Sequence, residues 1–229
     1  MNYLTLDTET AMNNEGKRIS EGGLVYDIGG LVHDEKGKIL EHFSFVVREI
    51  FTNYKIMQTA YYFSKYEHYE KDLREGKRIM LAWAEIKKFV NALIEKYNVK
   101  IIFAHNAMFD VNSITKTEKY VSYMRSSLFF PYDFPIWDTL KMWRMTFGKS
   151  EAYKNFCKAH GYVTKFGAAR MTAEVIHQYL TGNTTFTESH TGLEDAMVEK
   201  DIACMVMQAY PEIDGSLFTG TVKFKAEFN

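Results

Sequence analysis

The chain is 229 residues long and 46% hydrophobic, so a sizeable core is available and whole-chain disorder is excluded. It carries 28 Lys and Arg against 29 Asp and Glu, a formal net charge of -1. That balance excludes a protein that coats duplex DNA by bulk positive charge, so any nucleic-acid contact must come from a local site. Cys157 and Cys204 are too few for a disulfide framework and suit a reducing compartment. Cys157 and His160 lack the two further ligands that a structural zinc site needs. The N-terminus reaches Asp7 with no signal-peptide pattern, and no apolar run approaches the ~20 residues of a membrane helix, so a soluble cytoplasmic protein is expected.

Taken in chain order, Asn2 to Asp7 reads as a strand, with Leu4 and Leu6 on one face and Thr5 and Asp7 on the other. Leu24 to Val32 and Lys38 to Val47 flank the turn signal Asp34-Glu35-Lys36-Gly37, which predicts a hairpin and an antiparallel meander of three strands. Residues 48–80 hold Tyr54, Tyr61, Tyr62, Tyr66 and Tyr69 among mixed charges and predict short helices. Trp83 to Tyr97 is amphipathic, with Ile86, Phe89, Val90, Leu93, Ile94 and Tyr97 on one face. Lys100 to Ala104 predicts a buried strand, Val111 to Met124 a helix and Phe134 to Asp138 another strand. Helices follow near 139–147, 151–160, 172–181 and 192–209. The order implies an α/β fold, a mixed five-stranded sheet with helices on its faces.

Three short segments carry candidate chemistry. Asp7 and Glu9, two apart on a strand, project from the same face and repel unless a cation neutralises them or one is protonated. Alone, the pair reads first as a solvated strand end. His105-Asn106-Ala107-Met108-Phe109-Asp110 follows a buried strand directly, where open sheets place functional groups. Asp110 also suits a helix cap. In His190-Thr191-Gly192-Leu193-Glu194-Asp195, Thr191 and Glu194 fit a capping box, with His190 in the loop before the helix and Asp195 in its first turn. Glu199 lies over the same face as Asp195. Asp7, Glu9, Asp110 and Asp195 converge only if these segments meet at one sheet edge. Four carboxylates there could not all stay ionised without cations, and an all-oxygen site suits Mg²⁺ or Mn²⁺. Two such ions would orient a water for displacement at phosphorus, and a histidine could take its proton.

The segments Leu6-Asp7-Thr8-Glu9-Thr10, His105 to Asp110, and His190 with Asp195 resemble, in order, the three exonuclease motifs of the DEDDh (DnaQ-like) 3′–5′ exonucleases. The second is similar to that of proofreading exonucleases, and the long form resembles phage-borne relatives. Trp137-Asp138-Thr139 resembles a further recurring feature of the family, and the likeness spans roughly residues 2–47 and 84–209. The resemblance implies a ribonuclease H-like sheet and a single exonuclease domain over 1–229. The segment at about 48–80 would be a Tyr-rich insertion and the chain after about 210 an extension that includes Lys223-Phe224-Lys225.

The same resemblance implies Asp7, Glu9, Asp110 and Asp195 as ligands of two Mg²⁺ or Mn²⁺ ions and His190 as general base. Thr8, Thr10, Asn106 and Phe109 would contact the terminal nucleotide. The implied activity is hydrolysis at the 3′ end of single-stranded DNA with release of 5′-mononucleotides. An oligoribonuclease-like action on RNA is the main alternative, and a non-catalytic nucleic-acid-binding protein on the same fold is a more distant one. The basic loop Gly161 to Arg170 reads first as a solvated loop and otherwise as a contact to a strand backbone, and 48–80 is either substrate-facing or an aromatic lid packed on the sheet.

Overall fold

A computed structural model of the chain describes residues 1–11, 22–122 and 128–213. Among these residues, six strands form one mixed sheet: β1 (Asn2–Ala11), β2 (Leu24–Asp34), β3 (Ile39–Val47), β4 (Ile79–Leu81), β5 (Val99–Ala104) and β6 (Ile136–Asp138). Their order across the sheet is β4-β3-β2-β1-β5-β6. The meander β1–β2–β3 is antiparallel, and β5 and β6 add in parallel to β1. Parallel pairing needs crossovers, which α4 (Trp83–Lys96) and α5 (Met108–Ser122) supply. The expected count of five strands is corrected to six. β4 is three residues long, too short to show alternation, and its place is set by pairing with β3 from Phe45 opposite Ile79 to Val47 opposite Leu81.

Two further boundaries differ from expectation with consequences for the acids. β1 continues past Asp7 to Ala11, with a register shift between Glu9 and Thr10, so both carboxylates stand within a paired strand. α5 begins at Met108 rather than Val111, which puts Asp110 in its first turn instead of ahead of it. The expected end of that helix, residues 123–124, and the segment containing Lys223-Phe224-Lys225 lie outside the described residues. Short helices α1 (Arg48–Phe51), α2 (Tyr54–Met57) and α3 (Tyr66–Arg74) occupy the Tyr-rich segment as expected, and α6 (Thr139–Met145), α7 (Glu151–Ala159), α8 (Ala173–Thr181) and α9 (Gly192–Ala209) follow. No described helix is long and apolar enough to cross a membrane.

The alternation in β1 separates two cores. Leu4 and Leu6 pack with Ile28, Val46, Ile86, Val90 and Ile114 on one face of the sheet. Tyr3 packs with Phe103, Trp143, Tyr153, Ile176 and Ile202 on the other. Asp7 and Glu9 have the parity of Tyr3 and therefore face the side that α9 covers. α9 lies unusually close there. A Cβ added at Gly29, which pairs with Asp7, would stand 1.9 Å from Leu193 N, and one at Gly192 would stand 2.4 Å from Gly29 N. Helix backbone thus rests on strand backbone.

Asp27, fully buried on β2, ties this contact to the Tyr-rich segment. Its Oδ2 accepts from Gly192 N at 3.1 Å, Tyr69 Oη at 2.6 Å and Arg78 Nη1 at 3.4 Å. Arg78 also bonds Asp72 and Ser44 and lies 4.6 Å over the Tyr69 ring. The expected capping box is not what starts α9: the Thr191 hydroxyl donates to Glu194, and a buried acid from a distant strand takes the first amide. The segment 48–80 is accordingly packed on the sheet.

Gly29→Ala should lower the unfolding free energy by about 3 kcal/mol, because the added methyl meets backbone that cannot move aside. Gly76→Ala, where the φ of +69° is strained for an L side chain but space is open, should cost about 1 kcal/mol. Urea unfolding of both variants measures the difference.

Candidate active site

Three chain segments bring acids to one place. β1 contributes Asp7 and Glu9, α9 contributes Asp195 in its first turn and Glu199 a turn later, and α5 contributes Asp110. Asp7, Glu9, Asp195 and Glu199 line a pocket of about 780 Å³, together with Glu188, His190, His105 and Asn106. Asp110, Thr8, Thr10 and Phe109 do not line it. Asp110 is 2% exposed and accepts a 2.7 Å bond from the Thr8 hydroxyl. That hydroxyl is thereby committed within the protein, and the Thr10 side chain lies against Gly23.

Burial and mutual repulsion push every one of these acids up. Asp7 is held well above the ordinary carboxylate range by burial and by the charges of Glu199, Asp110, Glu9 and Asp195. Glu9 is pushed up to about 9 by burial and by Asp195, against the nearby Lys65. Asp110 rises to about 7 through burial, opposed by its bond from Thr8. Asp195 rises to about 6 and Glu188 to about 7, burial again leading. Glu199 is pushed well up by burial and by Asp110 and Asp195, and its Oε2 is buried without a hydrogen-bond partner.

Glu199 Oε2 is thus an unpartnered buried oxygen beside the pocket's four other acids, a donor set that suits a cation. Glu9, His190 and Asp195 each offer a ligand atom, all within 4.8 Å of one another. Oxygen donors in this number suit a hard divalent cation such as Mg²⁺ or Mn²⁺.

His190 sits in the loop before α9 with φ of +51°, a left-handed conformation that is uncommon outside glycine. Its ring stacks on Tyr62, centroids 4.1 Å apart and planes 15° apart. Burial and Lys65 hold its pKa below the usual imidazole value. The neutral ring is therefore favoured at neutral pH, which is the form that accepts a proton.

The neighbouring turn has a structural logic that its sequence left open. His105 Nε2 lies 2.9 Å from the Met171 carbonyl and Nδ1 lies 2.9 Å from the Thr139 hydroxyl. The carbonyl can only accept, so Nε2 carries the proton and Nδ1 accepts from Thr139. Asn106 adopts φ of +60° and donates its amide to Asp138, which also caps α6 through Leu140 N and Lys141 N. The 105–107 turn, and with it the start of α5 and Asp110, is thus pinned to the end of β6.

Other pocket residues carry weaker signals in the sequence. Glu199 is legible only as the residue one turn beyond Asp195. Glu188 and Arg144 have no motif of their own, and neither has Tyr62, which stacks on His190 beside the pocket. The basic loop closes as a tight turn, with a bridge between Val163 and Ala169 and Gly167 at φ of +78°. Its flank contributes Thr164 and Arg170 to the pocket, while Phe166 at its tip is 86% exposed under Lys165.

Neither a protein-family model nor a curated protein matches the chain. Solved structures match its fold. The nuclease domain of 3′hExo, a DEDDh family member bound to rAMP, has a TM-score of 0.55 at 11% identity, over 93% of this chain and 94% of that one. E. coli Exonuclease I in complex with a dT13 oligonucleotide carrying a 5cy label has a TM-score of 0.53 at 13% identity, over 92% of this chain and 41% of that one. S. pombe Pop2p in a form with Mg²⁺ and Mn²⁺ bound has a TM-score of 0.50 at 11% identity, over 96% of this chain and 89% of that one. The chain therefore shares the mixed α/β fold of these structures.

The raised carboxylates make cation binding and stability pH-dependent. The folded, cation-free protein holds more protons than the unfolded chain between the ordinary carboxylate range and about pH 9, the region set by Glu9. Those acids therefore lower stability progressively as pH rises through that window. Cations compete with the same protons. The rise in Tm on adding Mg²⁺ or Mn²⁺ over EDTA should grow with pH across this range, and Glu9→Gln should shrink it. Calorimetry would count against the site if the gain were flat with pH in wild type.

Proposed function

We propose that the chain is a metal-dependent 3′–5′ exonuclease of the DEDDh type, hydrolysing phosphodiester bonds at the 3′ end of single-stranded DNA to release 5′-mononucleotides. The observation that carries this reading is the convergence of Asp7, Glu9 and Asp195 around His190 in one pocket, with Asp110 buried alongside. Asp7, Glu9, Asp110 and Asp195 would hold two Mg²⁺ or Mn²⁺ ions, and the presence of both ions in the Pop2p structure supports that chemistry. Such ions, when bound, neutralise the acids, acidify a water and stabilise charge at phosphorus.

The protein's own groups do the rest. His190 accepts the proton of the attacking water at an imidazole nitrogen, for which its depressed pKa suits it. Arg144 and Arg170 line the same pocket and place positive charge where a phosphodiester backbone can lie. Asn106, which lines the same pocket, contacts the terminal nucleotide. Single-stranded DNA is the first substrate because the second motif has the proofreading form, and the dT13 complex of Exonuclease I supports it. RNA is the second reading, supported by rAMP in the 3′hExo domain.

Wild type should shorten 5′-labelled single-stranded oligonucleotides with Mg²⁺ and not with EDTA, on a gel that compares DNA with RNA. Asp7→Asn should abolish shortening, and His190→Ala should lower kcat by about 10²–10⁴-fold, the usual worth of a general base. Absence of metal-dependent, Asp7-dependent shortening overturns the reading.

The Lys165–Phe166 tip presents a cation and an exposed ring beside the pocket. Replacing both by Ala should raise KM for longer strands by about tenfold, given the ~1–3 kcal/mol of a base–aromatic stack. Steady-state kinetics against strand length checks this, with kcat at saturation unchanged.

A further inference from the structure

His190 is held from α9 through its backbone, whose amide the Asp195 carboxylate takes, while its ring is covered from another segment. It precedes α9, its backbone is in the left-handed region, and that conformation needs support from outside. Further support comes from the Tyr-rich segment. Tyr62 covers one face of the imidazole, 4.1 Å between centroids. Lys65 Nζ donates to the carbonyl of Ser189 and approaches that of His190 at 3.4 Å. The two grips belong to one short run, in which Lys65 also lies 5.2 Å over the Tyr62 ring and Tyr61 abuts that ring edge-on at 4.8 Å.

That run is itself fixed to the sheet. Ala60 forms a bridge with Ala11 at the end of β1, close after Glu9. Beyond it, Tyr69 and Arg78 are bound to Asp27, which also takes the first amide of α9. The segment that reaches His190 is therefore tied to β1, which carries Asp7 and Glu9, and through Asp27 of β2 to α9, which carries Asp195.

We infer that Tyr62 and Lys65 are positioning residues for His190, and that the 48–80 segment serves the site by holding the imidazole in register with the acids. This rests on the reading of His190 as the proton acceptor. The physical basis is directional. A face-on stack restrains tilt and swing of the ring but leaves its edge open, and the edge bears both nitrogens. Lys65 restrains the backbone from which the ring projects. An imidazole free to swing would still accept protons, but it would spend little time in line with the water.

The test uses the full chain with Tyr62→Ala, Tyr62→Phe, Lys65→Met and Lys65→Arg. Two readouts are followed: kcat and KM on the DNA oligonucleotide with saturating Mg²⁺, and the His190 ring resonances by nitrogen-correlated NMR, assigned by their loss in His190→Ala. Tyr62→Ala should lower kcat by about 10²-fold, the scale for a group displaced by an ångström, and leave KM unchanged. Tyr62→Phe keeps the stack and should restore both kcat and the wild-type ring resonances. Lys65→Met should lower kcat without raising KM, and Lys65→Arg should recover it. The lysine pair keeps the test open if Tyr62→Ala fails to fold.

The proposal is overturned if Tyr62→Ala leaves kcat or the His190 ring resonances unchanged. It is equally overturned if KM rises at constant kcat, which would make Tyr62 a platform for a nucleotide base, or if Tyr62→Phe is as impaired as Tyr62→Ala. Should wild type shorten no oligonucleotide at all, the exonuclease reading falls while the NMR comparison still decides whether Tyr62 pins the ring.

Discussion

Gly29 and Gly192 meet with no side chain between them, and the geometry of the acid cluster follows from that contact. Gly29 is the β2 residue opposite Asp7, and Gly192 is the first residue of α9, its would-be Cβ 3.0 Å from the Asp7 carbonyl. A side chain at either place would lift the helix away from the sheet. With both absent, Asp195 and Glu199 reach the face from which Asp7 and Glu9 project. Asp27 reinforces the approach by accepting the amide of Gly192, and its bonds to Tyr69 and Arg78 extend the restraint to the segment that flanks His190.

Such closeness is unfavourable taken alone. Buried carboxylates within reach of one another raise each other's pKa, and at neutral pH some must hold protons or find positive charge. Most of the other buried polar groups around them are satisfied within the protein. Asp110 has Thr8, Asp138 has three backbone amides, and His105 has a partner at each nitrogen. Glu199 Oε2 is a buried exception at the pocket itself. Rigid, well-paired surroundings around a mutually repelling set is the pattern of local conflict kept for function.

What was legible in the sequence depended on how local its cause was. Asp7 and Glu9 share a face because strands have a period of two, and Asp195 with Glu199 share one because helices repeat near four residues. The antiparallel hairpin likewise follows from neighbouring residues. β4 was not legible, since three residues carry no period and pairing with β3 defines it. Nor was the true cap of α9, because Asp27 is 165 positions from Gly192. Thr8 shows the same limit: its alternation places it away from Asp7, but only the packing of α5 gives its hydroxyl to Asp110. Tyr62 could be read as aromatic, and nothing near it in the chain names His190 as its neighbour.

The dependence on α9 also has a consequence in time. A chain emerging from the ribosome presents β1, with Asp7 and Glu9, before the other described elements, and α5, with Asp110, after β5. Asp195 and Glu199 come with α9, after every described strand and every other described helix. Until then the Gly29 surface lies uncovered, the Asp27 carboxylate lacks the Gly192 amide, and His190 has not been added. The nascent protein therefore completes its described sheet before it can complete its cluster of acids.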